Sequence, residues 1–142
     1  MVRNPIAWPV VLALGILAAG GCREELGPES METTQVSGTI HIRNQPVGGG
    51  WIEFYPADGT IGNLRSAPVR PDGSFMADGV AVGTNAIKLV HPRPPIEARL
   101  PGGGVFEGVA LFRRDIGKGP ASQIDIDLLD EYVRYVRAQK PG

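Results

Sequence analysis

The chain has 142 residues, 42% hydrophobic and 20% charged, with 20 Gly and 13 Pro. This length supports one small domain, and so much glycine and proline favours short elements joined by many turns over a helical bundle. A formal net charge of −1 without any basic block leaves no electrostatic footprint for nucleic acid, which is excluded as a partner.

Arg3 precedes Ile6 to Leu17, an uncharged and mostly apolar run of 12 residues, and Ala18-Ala19-Gly20-Gly21-Cys22 follows. A basic start, a short apolar stretch and small residues before a cleavage point form an export signal over residues 1–21. The run is shorter than the roughly 20 residues that cross a bilayer and contains Pro9, which argues against a permanent transmembrane helix. Cys22 is the only cysteine, so it has no partner for an internal disulfide.

Leu17-Ala18-Ala19-Gly20-Gly21-Cys22 resembles the lipobox of bacterial lipoproteins, whose cysteine is acylated and becomes the first residue after cleavage. The usual Leu three residues before the cysteine is Ala19 here, with Leu17 two positions upstream. The resemblance implies a covalent lipid on Cys22, no other cofactor, and a membrane partner reached through that lipid. Arg23 stands where an Asp marks inner-membrane retention in some lipoproteins, so the outer membrane or cell surface is favoured. Acyl chains contribute about 0.8 kcal/mol per buried methylene, so three of them hold a protein without help from anionic headgroups. The alternative is an ordinary signal cut near Ala19, leaving a free thiol in an oxidising compartment. Residues 22–34 are the lipidated cysteine and a flexible tether, rich in Glu and without apolar periodicity. Removal of residues 1–21 leaves 13 basic against 15 acidic residues.

From Gln35 the chain alternates, with Val36, Gly38, Ile40 and Ile42 on one face and Ser37, Thr39, His41 and Arg43 on the other. Asn44 to Gly50 is a turn, and Trp51 to Tyr55 is a second strand with Ile52 and Phe54 inward and Trp51, Glu53 and Tyr55 outward. Ser66 to Val69 and Ser74 to Ala77 flank Pro71-Asp72-Gly73, which is a hairpin signal. Asp78-Gly79 and Gly83 bracket another turn, and Asn85 to His91 alternates with Ile87 and Leu89 inward. Residues 92–104 hold 7 Gly or Pro in 13 positions and form a long loop, a kind that is commonly functional or disordered. Val105 to Phe112 and Gln123 to Leu128 complete seven strands. Leu129, Tyr132, Val133 and Val136 then fall on one helical stripe, with Asp127 as N-cap and Asp130 four residues before Arg134. The domain plan is therefore a sandwich over 35–128 and a C-terminal amphipathic helix and tail over 129–142.

Val36-Ser37-Gly38-Thr39-Ile40, Gln45-Pro46-Val47, Trp51 to Pro56, Pro71 to Phe75 and Val82-Gly83-Thr84 recur in that order in one family. The chain is similar to the carboxypeptidase-regulatory-like domain of small bacterial lipoproteins. That resemblance implies an all-β, seven-stranded, transthyretin-like (prealbumin-like) sandwich with a structural, adhesive or ligand-binding role and no catalysis. Asn85 stands where the family usually has a large residue, leaving an inward polar group that needs a partner. The hydrolases that share this sandwich carry a C-terminal Tyr-Arg-Gly-Ser, whereas this chain ends Gln139-Lys140-Pro141-Gly142.

No catalytic constellation is expected. His41 and His91, the two histidines, lack metal-ligand spacing, so a metal-dependent hydrolase would need them to converge with an acid in space. Asp125 and Asp127 share a strand face and suit either a hard cation or plain solvation with Asp127 capping the helix. The sharpest binding candidate is Trp51 with Tyr55 flanking Glu53, an aromatic face beside a carboxylate that fits an envelope polysaccharide or a peptide of a protein partner. Cover by the 92–104 loop or by the helix would make them a satellite core instead. An accessory subunit docked through Leu129, Tyr132, Val133 and Val136 is a further expectation, which fails if that stripe packs on the chain's own sheet.

Overall fold

The computed structural model describes residues 31–94, 112–119 and 122–140. The export signal, Cys22, most of the tether, most of the 92–104 loop and residues 105–111 of an expected strand lie outside them.

The described chain forms β1 (Thr33–Ile42), β2 (Gln45–Pro46), β3 (Trp51–Pro56), β4 (Arg65–Pro68), β5 (Ser74–Ala81), β6 (Gly83–Val90), β7 (Phe112–Ile116), β8 (Ser122–Asp127) and α1 (Leu128–Gln139). One sheet is built around β1, which pairs antiparallel with β2 and β5 and parallel with β8. The other is antiparallel in the order β4-β3-β6-β7. Alternation turns Val36, Ile40 and Ile42 of β1 toward Ile52 and Phe54 of β3 and Ile87 and Leu89 of β6, all almost fully buried. The Phe54 and Phe75 rings meet across the core with centroids 6.2 Å apart. Each such side chain contributes about 2 kcal/mol by leaving water. The result is an all-β, sandwich-like arrangement of two sheets with one short C-terminal helix.

Gly38 lies where three strands crowd together, paired with Phe75 on one side and Ile124 on the other. A Cβ there would run into the Ile124 carbonyl oxygen and sit 2.8 Å from Phe75 Cζ. Only a glycine lets the β5 ring lie over β1 while β8 pairs along its other edge.

Three expectations are corrected. Gln45-Pro46, expected within a turn, forms β2 and raises the described strands to eight, because Arg43 and Asn44 take φ of 48° and 63° and close a two-residue hairpin. The turn at Pro71-Asp72-Gly73 is present, with Asp72 Oδ1 accepting from Ser74 N and Oγ, but it joins strands of opposite sheets. Asp78-Gly79 is not a turn: β5 continues to Ala81 through a bulge opposite Gln35, with Gly79 at φ 69°. A strand is observed over Phe112–Ile116, with Phe112 and Ile116 facing inward and Arg114 between them; of the strand expected over Val105 to Phe112 only Phe112 lies within the described residues.

Arg114 is tolerated inward because its guanidinium meets the buried Glu131 of α1 and lies 5.3 Å over the Phe112 ring. Glu131 also pairs with Arg134 at 3.3 Å, replacing the expected Asp130–Arg134 pair. Asp127 caps α1 as expected, its Oδ1 accepting from Leu129 N at 2.9 Å. Leu128, Leu129 and Tyr132 pack on the sandwich, so the N-terminal half of the expected stripe is spent on the chain's own core, whereas Val136 at its far end is exposed. Asn85 is fully buried, and its Nδ2 donates to the Ala81 and Gly83 carbonyls at 2.8 and 3.0 Å, while its Oδ1 finds no partner among the described residues. No helix among the described residues is long and apolar enough to cross a membrane.

Gly38→Ala should destabilise the domain by about 3 kcal/mol, the upper end for overpacking, because a backbone oxygen blocks the added methyl. Urea unfolding checks this: the midpoint should fall sharply with an unchanged slope.

Candidate functional site

The outer face of the second sheet gathers the aromatic candidates. Register places Trp51 between Pro68 and Val90, Glu53 between Ser66 and Lys88, and Tyr55 beside Ala86. Trp51 is 49% exposed, so among the described residues neither a loop nor α1, which packs on β1 and β8, closes over its indole. The Tyr55 hydroxyl donates to Glu53 Oε2 at 2.6 Å. That hydrogen bond, with lesser help from desolvation and the carboxylate charge, raises the Tyr55 pKa above the ordinary phenol range and keeps the hydroxyl a donor. The tyrosine is thereby fixed against Glu53, which stands between it and Trp51 on the strand, and Glu53 Oε1 has no hydrogen-bond partner among the described residues. The face thus combines a flat apolar surface with a carboxylate, an ammonium from Lys88 and the Ser66 hydroxyl. Such a set can stack on a sugar ring or an apolar side chain and hydrogen-bond its polar edge. Lys88 and Ser66 were outward by alternation in the sequence, but their place beside Glu53 depends on strand order.

A second grouping lies on the outer face of the first sheet. The parallel pairing of β1 and β8 sets Thr39 beside Asp125 and His41 beside Asp127. Thr39 Oγ1 donates to Asp125 Oδ1 at 2.6 Å, and His41 Nε2 lies 2.9 Å from Asp125 Oδ2. His41 Nδ1 is 3.7 Å from Asp127 Oδ2, too long for a hydrogen bond. The hydrogen bonds from Thr39 and then His41 lower the Asp125 pKa below the usual carboxylate range. A shallow cleft of ≈ 380 Å³ opens beside them, lined also by Asn44, Pro46 and Asp72.

This grouping has the residue types of a hydrolytic site without the arrangement. A general base must reach the nucleophile, but the Thr39 hydroxyl is directed to Asp125 and not to the imidazole. His91 follows the last residue of β6, in the other sheet, and among the described residues no three His, Cys, Asp or Glu side chains stand together as a metal-binding group. Asp127 serves the helix cap. Cys22 lies outside the described residues.

Both groupings are set toward one end of the sandwich. Trp51 opens β3 opposite Val90 at the close of β6, and His41 nears the close of β1 opposite Pro46. The other end holds the start of β1, paired as Thr33 with Ala81, and the close of β3, paired as Pro56 with Asn85. No protein-family model, curated protein or solved structure matches the chain.

The lowered Asp125 pKa makes a stability prediction with a definite sign. A carboxylate depressed in the folded state contributes above the unfolded pKa, and that contribution is lost as pH falls through the folded one. The stability advantage of wild type over Asp125→Asn should therefore shrink as pH drops below about 4. With 67% of the side chain exposed, the effect should be only about 0.5 kcal/mol. Thermal unfolding of both proteins between neutral and acid pH checks it.

Proposed function

We propose that the chain is a lipid-anchored protein of the bacterial cell envelope whose carboxypeptidase-regulatory-like, transthyretin-like β-sandwich is a non-catalytic binding module. Its contact face is Trp51, Glu53 and Tyr55, and its ligand class is an envelope polysaccharide or a peptide segment of an envelope protein. The observation that carries the binding role is the 49% exposure of Trp51 beside a Tyr55–Glu53 pair already locked by a hydrogen bond. Pre-ordered aromatic and carboxylate groups lose little conformational freedom on binding, which is what a recognition face requires.

The anchor rests on Leu17-Ala18-Ala19-Gly20-Gly21-Cys22 and on the absence of any second cysteine for a disulfide. The arrangement of two β-sheets with one short C-terminal helix supports the domain resemblance. The absence of catalysis is supported by the Thr39–Asp125–His41 order, in which the acid and not the base receives the hydroxyl.

Two experiments test this reading. Wild type purified from a native-type host should carry an acyl mass and enter the detergent phase, while Cys22→Ser should remain aqueous. Both proteins aqueous would overturn the anchor. For the ligand, Trp51 is the only tryptophan after Cys22, so intrinsic emission reports this face alone. Emission should change saturably with soluble envelope-glycan fragments or with peptides from a tiled library. Glu53→Gln should weaken the response about tenfold, as expected for loss of a charged hydrogen bond. An unchanged emission with every fragment and peptide would remove the binding role.

A further inference from the structure

The end of the sandwich opposite Trp51 carries its own apolar patch. Met31, Ile61 and Leu64 are 44%, 55% and 49% exposed. Met31 and Ile61 border one open cleft of ≈ 440 Å³ with Val82 and Gly83. Gly62 sits against Ala81 and Pro56, which fixes the neighbouring Ile61 and Leu64 at the same end. Of the charges beside the patch, Glu32 pairs with Lys118 at 2.6 Å and Asp58 with Arg113 at 3.1 Å, while Arg65 donates to the Gly79 carbonyl. Exposed apolar groups among such charges suit an interface that is apolar below and polar above, as a lipid headgroup layer is.

The tether decides what meets this end. Only residues 23–30 separate Cys22 from Met31, and nine steps of at most about 3.5 Å reach roughly 30 Å. β1 alone has ten residues and runs about 33 Å from this end to the other. An acylated Cys22 therefore leaves the Met31 end free to lie on the membrane. The Trp51 end could reach the same surface only with the tether stretched along the whole domain.

We propose that the anchored protein rests this end on the phospholipid surface, with Met31, Ile61 and Leu64 in the headgroup layer and the Trp51 face directed away. This inference rests on acylation of Cys22, and its test separates the two.

Full-length protein matured in the host is labelled with an environment-sensitive fluorophore at Ile61→Cys or Met76→Cys and reconstituted into phosphatidylethanolamine and phosphatidylglycerol vesicles. Both positions are exposed, so neither substitution disturbs the core, and Met76 lies on the outer face of the first sheet. The Ile61 probe should shift to the blue and lose emission to lipids brominated along the acyl chain, while the Met76 probe should do neither. Protein that fails to float with the vesicles overturns the anchor and this inference together. Floating protein with an Ile61 probe as aqueous as the Met76 probe overturns this inference alone. An Ile61 probe shielded from iodide but untouched by bromolipid assigns the patch to a second copy of the chain and overturns it equally.

Discussion

The convergence of three strands on Gly38 is the constraint on which the rest of the structure depends. β5 and β8 both pair with β1 there, and the Phe75 ring fills the space that a side chain would occupy. The β1–β8 pairing joins residues more than 80 positions apart, as Thr39 with Asp125 shows. It carries α1 to the sandwich, because β8 ends in Asp127, whose carboxylate caps the helix. From that start the helix brings Glu131 to Arg114 and ties itself to β7. Without the narrow seat at Gly38, β8, the helix and the His41 grouping would lose their common support.

Alternation does the remaining sorting. Once Ile52 and Phe54 are inward, Trp51, Glu53 and Tyr55 are outward, and strand order supplies Lys88 and Ser66 as their neighbours. The same rule on β1 turns Thr39 and His41 outward and the parallel partner brings Asp125 and Asp127 beside them. The outward faces then differ in chemistry: an open aromatic surface on one sheet, and on the other a set of polar groups mostly satisfied by each other. An open face meets a ligand at little cost, whereas the His41 grouping would first have to give up its own hydrogen bonds.

Much of this was legible in the sequence, and the parts that were not have physical causes. β1, β3, β6, β8 and the helix followed from period-two and helical patterning, and Asp127 as a cap followed from its position. The strand over Phe112–Ile116 was not legible beyond Phe112 because an inward Arg114 breaks the apolar alternation, and its neutralisation by Glu131 exists only after α1 is docked. The turn at Asp72 was read correctly, but local chemistry does not tell whether the chain returns within one sheet or crosses to the other. The aromatic trio was found by alternation alone. Its exposure depended on where the helix packs, and helical periodicity identifies an apolar stripe without naming its target.

The proposed tethered domain with a free recognition face makes one direct demand, that Trp51 meet water and not lipid. The decisive measurement is quenching of Trp51 emission in the mature protein on vesicles, with acrylamide in the water and bromine on the acyl chains as the two quenchers. Acrylamide should quench the vesicle-bound protein as strongly as it quenches the domain in solution, with no loss to bromolipid. Strong quenching by bromolipid with protection from acrylamide would make the Trp51 face a membrane contact and contradict its assignment as a recognition surface.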